Sequence, residues 1–212
     1  MIILPRTYAT VPKLSLSTQQ ADNIEFISVD PSICDLSRGK GYNEMILIYN
    51  AVLQSRFIQN AKGFFKVTGR YPIYNLHVFI SKAEEAINNG YKLYCDLKDH
   101  KLYDWLHLGW CGHSFDCRLF GCTTPFFLHY FWPNLEKCND YNGHLLEDVL
   151  FDATKSSNEK QIIRFHCEPH FGGLAGHQIE AVSFSQNHDN LKSNLKRFIG
   201  NCIRIFIPWF KF

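Results

Sequence analysis

Short strand-like runs alternate with helix-like segments along this chain, and that alternation constrains its fold most strongly. Residues 24–30 and Gly63–Val67 are apolar runs of strand length. Each is followed by a polar, glycine-bearing loop and then by a segment with apolar residues at helical spacing. The second such segment spans residues 76–87 and is followed by Gly90, a residue typical of helix ends. The pattern predicts an α/β domain with a mainly parallel sheet.

Further elements follow the same logic. Residues 43–57 and 145–153 have the apolar spacing of helices, and residues 160–166 resemble a strand. Apolar and polar residues alternate from Tyr91 to Leu97, as in a strand with one exposed face. A last helix is predicted to bury four apolar residues, namely Leu191, Leu195, Phe198 and Ile199.

Charge and cysteine usage narrow the class of protein. The net charge of +2 combines +5 from residue 190 onward with −3 over residues 1–189, so the main body is mildly acidic. This balance argues against a broad nucleic-acid-binding face. The eight cysteines lie mostly in apolar or strand-like runs, which is typical of reduced thiols in a cytosolic protein. No apolar run is long enough to span a bilayer, and no secretory leader is recognised, so a cytoplasmic location is expected.

The segment after the strand Gly63–Val67 has the composition of a diphosphate site. It contains Lys66 and Arg70 as cations, Gly69 for close backbone approach, and the hydroxyl of Thr68. Tyr71 would stack on a base or a sugar, and Asn75 follows at the start of the next helix. The alternative is an ordinary solvated turn at the end of a strand.

Two acids open the predicted helix near residue 147. Glu147 or Asp148 would act as general base toward an acceptor hydroxyl if the helix began at the rim of a cleft. The alternative is that both acids only complement the helix dipole.

A histidine-rich segment suggests a zinc site as a further alternative. His166, Glu168, His170 and His177 would supply the ligands. Pro169 opposes the helix on which such a His-x3-His spacing is informative, so the pattern does not favour metal binding.

Five groups of residues together resemble small GT-A-type glycosyltransferases from bacterial capsule and lipopolysaccharide gene clusters. They are Lys40 to Glu44, Lys66 to Tyr71 with Asn75, Asp116 with Arg118 and Phe120, Glu147, and the loop from Gly172 to Gly176.

The resemblance implies a three-layer sandwich with a mainly parallel central sheet and assigns roles to these residues. Lys66, Thr68, Gly69, Arg70, Tyr71, Asn75, Lys40 and Glu44 would lie on the donor side, and Asp116, Arg118, Gly172 and Gly173 would contact donor or acceptor. Glu147, or Asp148 beside it, would be the base.

The implied reaction is an inverting, hexosyltransferase-like transfer from a nucleotide sugar to an oligosaccharide or undecaprenyl-linked acceptor of a surface polysaccharide. Many GT-A enzymes carry an Asp-x-Asp metal motif where this chain has Thr68 to Tyr71. Dependence on Mn²⁺ or Mg²⁺ is therefore open. If a metal ion binds, Asp96, Asp116 and His177 are its candidate ligands. If none binds, Lys and Arg side chains would neutralise the leaving diphosphate.

The tail is predicted to be a separate segment. Residues 1–189 form the catalytic domain, and residues 190–212 carry five cations, no acid and an aromatic end. Such a segment is expected to bind the anionic inner surface of the cell membrane. Two rival functions remain: a non-catalytic glycan-binding or scaffold protein with a degenerate transferase fold, and a zinc hydrolase.

Overall fold

The computed structural model of the chain describes residues 24–69, 72–99 and 113–172, and the single residues Leu195, Phe198, Ile199, Cys202 and Phe206. The helices are α1 (Lys40–Gln54), α2 (Arg56–Gln59), α3 (Leu76–Asn88), α4 (Thr124–Phe126) and α5 (Leu146–Ser156). α4 continues into a π-helical turn, Phe127–Phe131, and a 3-10 helix, Trp132–Lys137. Shorter 3-10 helices are Pro31–Ile33, Leu36–Arg38 and Asp140–Asn142. The strands are β1 (Gly63–Val67), β2 (Leu93–Tyr94), β3 (Leu97–Asp99), β4 (His113–Phe115), β5 (Leu119–Thr123) and β6 (Gln161–Ile162).

The main sheet has four strands in the order β1-β5-β2-β6, and β3 pairs with β4 in a second, two-stranded sheet. β5 is antiparallel to both β1 and β2, and β2 is parallel to β6. The prediction of an α/β class is confirmed, but the prediction of a mainly parallel sheet is wrong. The alternation of strands and helices along a chain does not specify strand order, and the insertion of β5 between β1 and β2 is a long-range pairing.

Helices cover both faces of the sheet. Alternation along β1 places Phe65 and Val67 on the face covered by α3, and Phe64 and Lys66 on the opposite face, toward α1. α3 approaches so closely that a Cβ added to Gly121 of β5 would lie 2.8 Å from the Cβ of Ala83. The sheet is therefore the middle layer between two sets of helical segments.

Coverage of both faces corrects the prediction of a half-exposed strand at residues 91–97. Leu93 and Cys95 are completely buried, and Leu97 is 1% exposed. Tyr94 and Asp96, the residues that should have faced solvent, are also buried. The alternation of apolar and polar residues did not predict their burial, because Tyr94 packs against Phe165 and Asp96 accepts a hydrogen bond from the backbone N–H of Phe165.

The predicted strand at residues 24–30 is also wrong. This segment has no regular secondary structure, and Phe26 is 68% exposed. It is held at Glu25, which accepts hydrogen bonds from the Ser55 hydroxyl (2.7 Å) and the Arg56 backbone N–H (3.3 Å). Residues 160–166 contain only the short strand β6.

The described residues of the tail are helical but not buried. Leu195, Phe198 and Ile199 are 58%, 66% and 49% exposed, so the prediction that they pack in the core is wrong. Leu191 lies outside the described residues. Within the described part of the chain, no helix is both long and apolar enough to cross a membrane. The described cysteines are all free thiols, and four of them, Cys95, Cys117, Cys122 and Cys138, are buried.

Candidate functional site

One edge of the main sheet gathers most of the predicted site residues. β1, β2 and β6 run in the same direction, and only β5 runs the opposite way. The carboxyl ends of β1 and β2 and the start of β5 therefore lie at one edge, which we call the carboxyl edge. Asp96 follows β2 there, and the backbone N–H of Thr68 donates to the Arg118 carbonyl (2.8 Å). Ligands of open α/β sheets bind at this kind of edge.

Lys66 is buried near the end of β1 and forms an ion pair with α1. Its Nζ lies 2.6 Å from Oε1 of Glu44, and it also donates to the Cys117 carbonyl. The Lys66 side chain is 5% exposed, against 34% for Glu44. Two residues predicted from separate motifs are thus brought together, but the charge of Lys66 is matched inside the protein.

Glu147 stands in the first turn of α5, where its side chain remains accessible to solvent. The surrounding protein partly desolvates its carboxyl group although the residue as a whole is exposed, and this desolvation raises its pKa above the ordinary value, while its own backbone N–H opposes the shift. The negative charges of Glu44, Asp140 and Asp148 raise the pKa further. An accessible acid with a raised pKa has the properties that a general base requires.

Asp148 belongs to a different environment from that of Glu147. Burial raises its pKa, and the charge of Asp152 adds to the shift, while His144 and His113 oppose it. β4, which contains His113, packs against α5. The structure thus separates the two adjacent acids, since Glu44 acts on Glu147 and the histidines act on Asp148.

A buried cysteine marks the point around which the charged residues gather. Burial raises the pKa of the Cys117 thiol well above its usual range, and the charges of Glu147, Lys66, Glu44 and Asp116 also act on it. These four residues come from α5, β1, α1 and the loop before β5. Glu44, Lys66 and Cys117, which are distant in sequence, contact one another through Lys66.

Asp116 and Arg118 form a fixed pair at the same edge. The Nε and one terminal nitrogen of Arg118 lie 2.9 and 2.7 Å from the two carboxylate oxygens of Asp116. The guanidinium also lies 4.0 Å from the centre of the Phe171 ring. Asp116 is nearly buried, whereas the Arg118 side chain is 45% exposed. Arg118 is thus a held cation with one accessible side.

Asn75 joins the segment after β1 to the predicted glycine loop. Its side-chain amide donates to the Glu168 carbonyl (3.0 Å), and its side-chain oxygen accepts from the His170 backbone N–H (2.8 Å). Gly172 donates to the Pro72 carbonyl (2.8 Å), and a Cβ at Gly172 would lie 2.5 Å from the Tyr74 hydroxyl oxygen. Asn75 therefore joins the start of α3 to residues 168–170, and the ring of Tyr74 lies close to Gly172.

The start of α1 is occupied by a carboxylate of the protein itself. The backbone N–H groups of Lys40 and Gly41 donate to Oδ2 of Asp140 at 2.6 and 3.1 Å. Gly39 has a positive φ of 90°, and a Cβ there would overlap Asp140. The N–H groups through which a helix start binds phosphate are thus engaged by Asp140, and Lys40 offers only its exposed side chain.

The predicted metal ligands do not form a cluster. Oδ1 of Asp96 accepts the backbone N–H of Phe165 at 3.0 Å, and Asp116 is paired with Arg118. Within the described ranges, no group of three or more His, Cys, Asp or Glu residues could hold a metal ion. His166 contacts the Tyr94 hydroxyl (3.3 Å) and packs near Phe79, as a core histidine does. Among the described residues, the candidate ligands Asp96 and Asp116 thus bind other groups of the protein.

Four predicted residues lie outside the described part of the chain: Arg70, Tyr71, Gly173 and His177. Conversely, sequence reasoning missed Tyr74, Asp140 and Phe171, which contact predicted residues directly. Tyr74 stood within the predicted diphosphate segment, but nothing in the sequence indicated the contacts of Asp140 or Phe171.

The opposite edge of the sheet has a cleft of about 610 Å³, whose lining includes Lys62, Lys92 and Tyr130. Lys62 precedes β1 and Lys92 precedes β2, so the cleft lies at the starts of these strands. None of the predicted site residues lines it. The cleft is therefore separate from the carboxyl edge.

Comparison with known proteins identifies no relative of this chain. No protein-family model, no curated protein and no solved structure matches the chain significantly.

Proposed function

We propose that the protein is a GT-A-type glycosyltransferase that moves a sugar from a nucleotide sugar to a glycan or lipid-linked acceptor in surface polysaccharide synthesis. The observation that carries the proposal is the convergence of residues that the resemblance singled out in separate parts of the sequence. Lys66 pairs with Glu44 at 2.6 Å and donates to the carbonyl of Cys117, which lies between Asp116 and Arg118 in the chain. A sheet with helices on both faces and three codirectional strands is compatible with the GT-A arrangement.

Glu147 is the proposed base. Its carboxylate accepts the proton of the acceptor hydroxyl, the oxygen attacks the anomeric carbon, and the bond from that carbon to the diphosphate breaks. The nucleoside diphosphate leaves with the bonding electron pair, and a single displacement of this kind inverts the anomeric centre. Glu147 is favoured over Asp148 on the family resemblance, and the negative charge of Glu44 contributes to its raised pKa.

Arg118 is the described cation best suited to the departing diphosphate. It is half-exposed, and both Asp116 and Phe171 fix its guanidinium, so little side-chain entropy is lost on binding. Arg70 and Tyr71 are proposed to complete the donor site with Thr68 and Gly69. Arg118 and Arg70 are proposed to neutralise the negative charge that develops on the diphosphate.

Attachment to the cytoplasmic face of the membrane is proposed for the tail. Leu195, Phe198, Ile199 and Phe206 are all exposed. The sequence from residue 190 onward has five cations and no acid. Exposed apolar residues within a cationic segment suit an anionic lipid surface, where each cation contributes about 1 kcal/mol. A lipid-linked acceptor would be presented there.

Nucleotide release from a panel of UDP-, GDP-, CMP- and dTDP-sugars tests the proposal. A thermal-shift screen selects the donor, and nucleotide release is then measured with and without acceptor glycans. We expect Glu147→Gln to reduce turnover about 100-fold while donor affinity is retained. Arg70→Ala should weaken donor binding by about 1.5–3 kcal/mol.

The control variant is Glu159→Gln, which changes an acid at the opposite edge of the sheet and should leave turnover unchanged. Donor binding without any nucleotide release would instead support the glycan-binding or scaffold alternative. Full activity of Glu147→Gln would remove this residue from the reaction.

A further inference from the structure

Each of the three codirectional strands of the main sheet is immediately preceded by a lysine. Lys62 precedes β1, Lys92 precedes β2 and Lys160 precedes β6. Because these strands run in the same direction, the three lysines lie at one edge of the sheet, which we call the amino edge. The cleft of about 610 Å³ lies at this edge, and Lys62 and Lys92 belong to its lining.

Backbone pairing sets the spacing of these lysines. The N–H of Lys92 donates to the Lys160 carbonyl (2.7 Å), and the Lys92 carbonyl accepts from the N–H of Thr123 (2.9 Å). Thr123, at the end of β5, is paired with Gly63, the residue after Lys62. Neighbouring strands lie about 4.8 Å apart, so the backbones of Lys62 and Lys92 are separated by roughly two strand spacings. Their positions are therefore fixed by the sheet.

The lysines of the amino edge differ from other lysines of the fold in their partners. Nζ of Lys62 donates to Oδ1 of Asn88 (3.0 Å), and Nζ of Lys160 lies 4.0 Å from the centre of the Tyr91 ring. Both of these partners are neutral. Lysines that pair with a carboxylate include Lys66, Lys82 and Lys155. Within the described ranges, no ion pair involves a lysine of the amino edge, so its positive charge is not matched there.

Aromatic side chains also line this cleft. Phe126 and Tyr130 come from the helical turns after β5, and their ring centres are 4.9 Å apart. Phe126 is 2% exposed, so it supports the partly exposed ring of Tyr130 from the core. Ligand sites typically combine such apolar surface with a few polar groups in a volume of about 300–1,000 Å³. The cleft has this combination and a volume in this range.

The charge of the lining selects among possible ligands. Glu159 also lines the cleft and is exposed, but Lys62 and Lys92 leave the described lining net positive. A phosphate monoester carries a charge of about −1.5 to −2 at neutral pH, which two ammonium groups match better than one would. The flat surface of an aromatic ring suits a sugar or a nucleobase beside that phosphate.

We propose that the cleft at the amino edge binds a phosphate monoester of a sugar or a nucleoside. The ammonium groups of Lys62 and Lys92 contact the phosphate, and the ring of the ligand packs against Tyr130. This site lies at the opposite edge of the sheet from the proposed donor site and does not depend on the proposed function.

Calorimetric titration of the full chain tests the site with five probes. They are glucose 6-phosphate, UMP, glucose, uridine and inorganic phosphate. We expect at least one phosphate ester to bind more tightly than both its unphosphorylated ring compound and inorganic phosphate. The tighter of glucose 6-phosphate and UMP identifies whether the ring is that of a sugar or a nucleoside.

Variants then locate the bound ester. Lys62→Gln and Lys92→Gln should each weaken its binding about five- to tenfold, because each removes a charge-assisted contact at a partly solvated position. Tyr130→Leu keeps an apolar side chain but removes the ring, and should weaken binding about threefold or more. The matched controls Lys82→Gln and Lys98→Gln remove the same charge from exposed positions outside the cleft lining, and each should change affinity less than about twofold.

Thermal unfolding first checks that each variant is folded. No binding of either ester at millimolar concentration would overturn the inference, and so would inorganic phosphate binding as tightly as the esters. Equal losses in the control lysine variants would show unspecific attraction of anions and would also overturn it. Unchanged affinity in Tyr130→Leu would refute the predicted contact with the ring.

Arg118→Ala separates this site from the proposed donor site. We expect the affinity of the cleft for the ester to be unchanged in this variant. Binding that is lost in Arg118→Ala and retained in the Lys62 and Lys92 variants would place the ligand at the carboxyl edge and overturn the inference. Ester binding at the cleft without nucleotide release from any nucleotide sugar would support the cleft site and refute the transferase. Nucleotide release without ester binding at the cleft would have the opposite meaning.

Discussion

Lys66 offers the sharpest test of how the carboxyl edge is held together. Lys66→Met keeps a side chain of similar length and removes the ammonium that pairs with Glu44. Loss of one member of a buried ion pair costs about 3–5 kcal/mol because the other charge is left uncompensated. Glu44 is 34% exposed and regains part of its hydration, so we expect a loss of about 2–3 kcal/mol.

The converse variant should be more destabilising. Glu44→Gln leaves the ammonium of Lys66, whose side chain is 5% exposed, without a counter-ion, and we expect a loss of about 3–4 kcal/mol. The double variant Glu44→Gln/Lys66→Met buries no net charge and should lose no more than about 1 kcal/mol. The two changes would therefore be coupled by more than about 2 kcal/mol.

Guanidinium denaturation of the full chain measures these differences. In a domain of this size, 1 kcal/mol corresponds to about 2–4 °C in Tm, so thermal unfolding provides a second measurement. The exposed pair Lys82–Glu85 is the control, and Lys82→Met should cost about 0.5 kcal/mol or less. Additive losses in the double variant, or a loss below about 1 kcal/mol for both single variants, would show that the pair does not stabilise the site.

Further predictions concern Glu147, Gly121, Arg118 and the tail. Folding raises the pKa of Glu147, so the folded chain binds the carboxyl proton more tightly than the unfolded chain does. The wild type therefore loses stability as pH rises through the raised pKa and the carboxyl group ionises. Thermal melts should therefore show Glu147→Gln to be more stable than wild type at pH 7, with the difference vanishing below the ordinary glutamate range near pH 4; a constant difference would contradict the shift. Gly121→Ala would place a Cβ 2.8 Å from that of Ala83 and should cost about 1–3 kcal/mol in denaturant titrations, and wild-type stability would refute the close approach of α3. Arg118→Ala should weaken nucleotide-sugar binding by about 1.5–3 kcal/mol in calorimetry, whereas unchanged affinity would place the donor elsewhere. Full-length protein should co-sediment with anionic liposomes at low salt and less at high salt, and Phe198→Asp should reduce the bound fraction; protein that stays in the supernatant at low salt would refute attachment.

Local patterns predicted the elements that depend on near neighbours in sequence. The strand Gly63–Val67 has the predicted bounds, and α3 covers the apolar spacing expected of it. Gly90 follows α3 with a positive φ of 85°, a conformation that glycine adopts without strain. Hydrophobic periodicity and turn residues are enough for such elements, because the interactions that decide them span only a few positions.

The order of the strands and the burial of their side chains were decided by distant contacts. β5 pairs antiparallel with β1 and β2, which no feature near any of these strands predicted. The apolar run at residues 24–30 has strand composition but no regular structure, since composition does not provide a partner strand. Strand pairing joins residues far apart in the chain, and a strand is stabilised by its contacts with the partner strand.

The candidate site shows the same division. Residue types alone pointed to Lys66 and Glu147 as chemically important, because cations beside a glycine turn and acids at a helix start have recognisable uses, and the family resemblance added Arg118. Both cations have an acidic partner, Glu44 for Lys66 and Asp116 for Arg118, but Arg118 is the more accessible of the two. Whether a charge is matched internally or offered to a ligand depends on groups that meet only when the chain folds. Tertiary structure therefore decided which of the predicted residues can act.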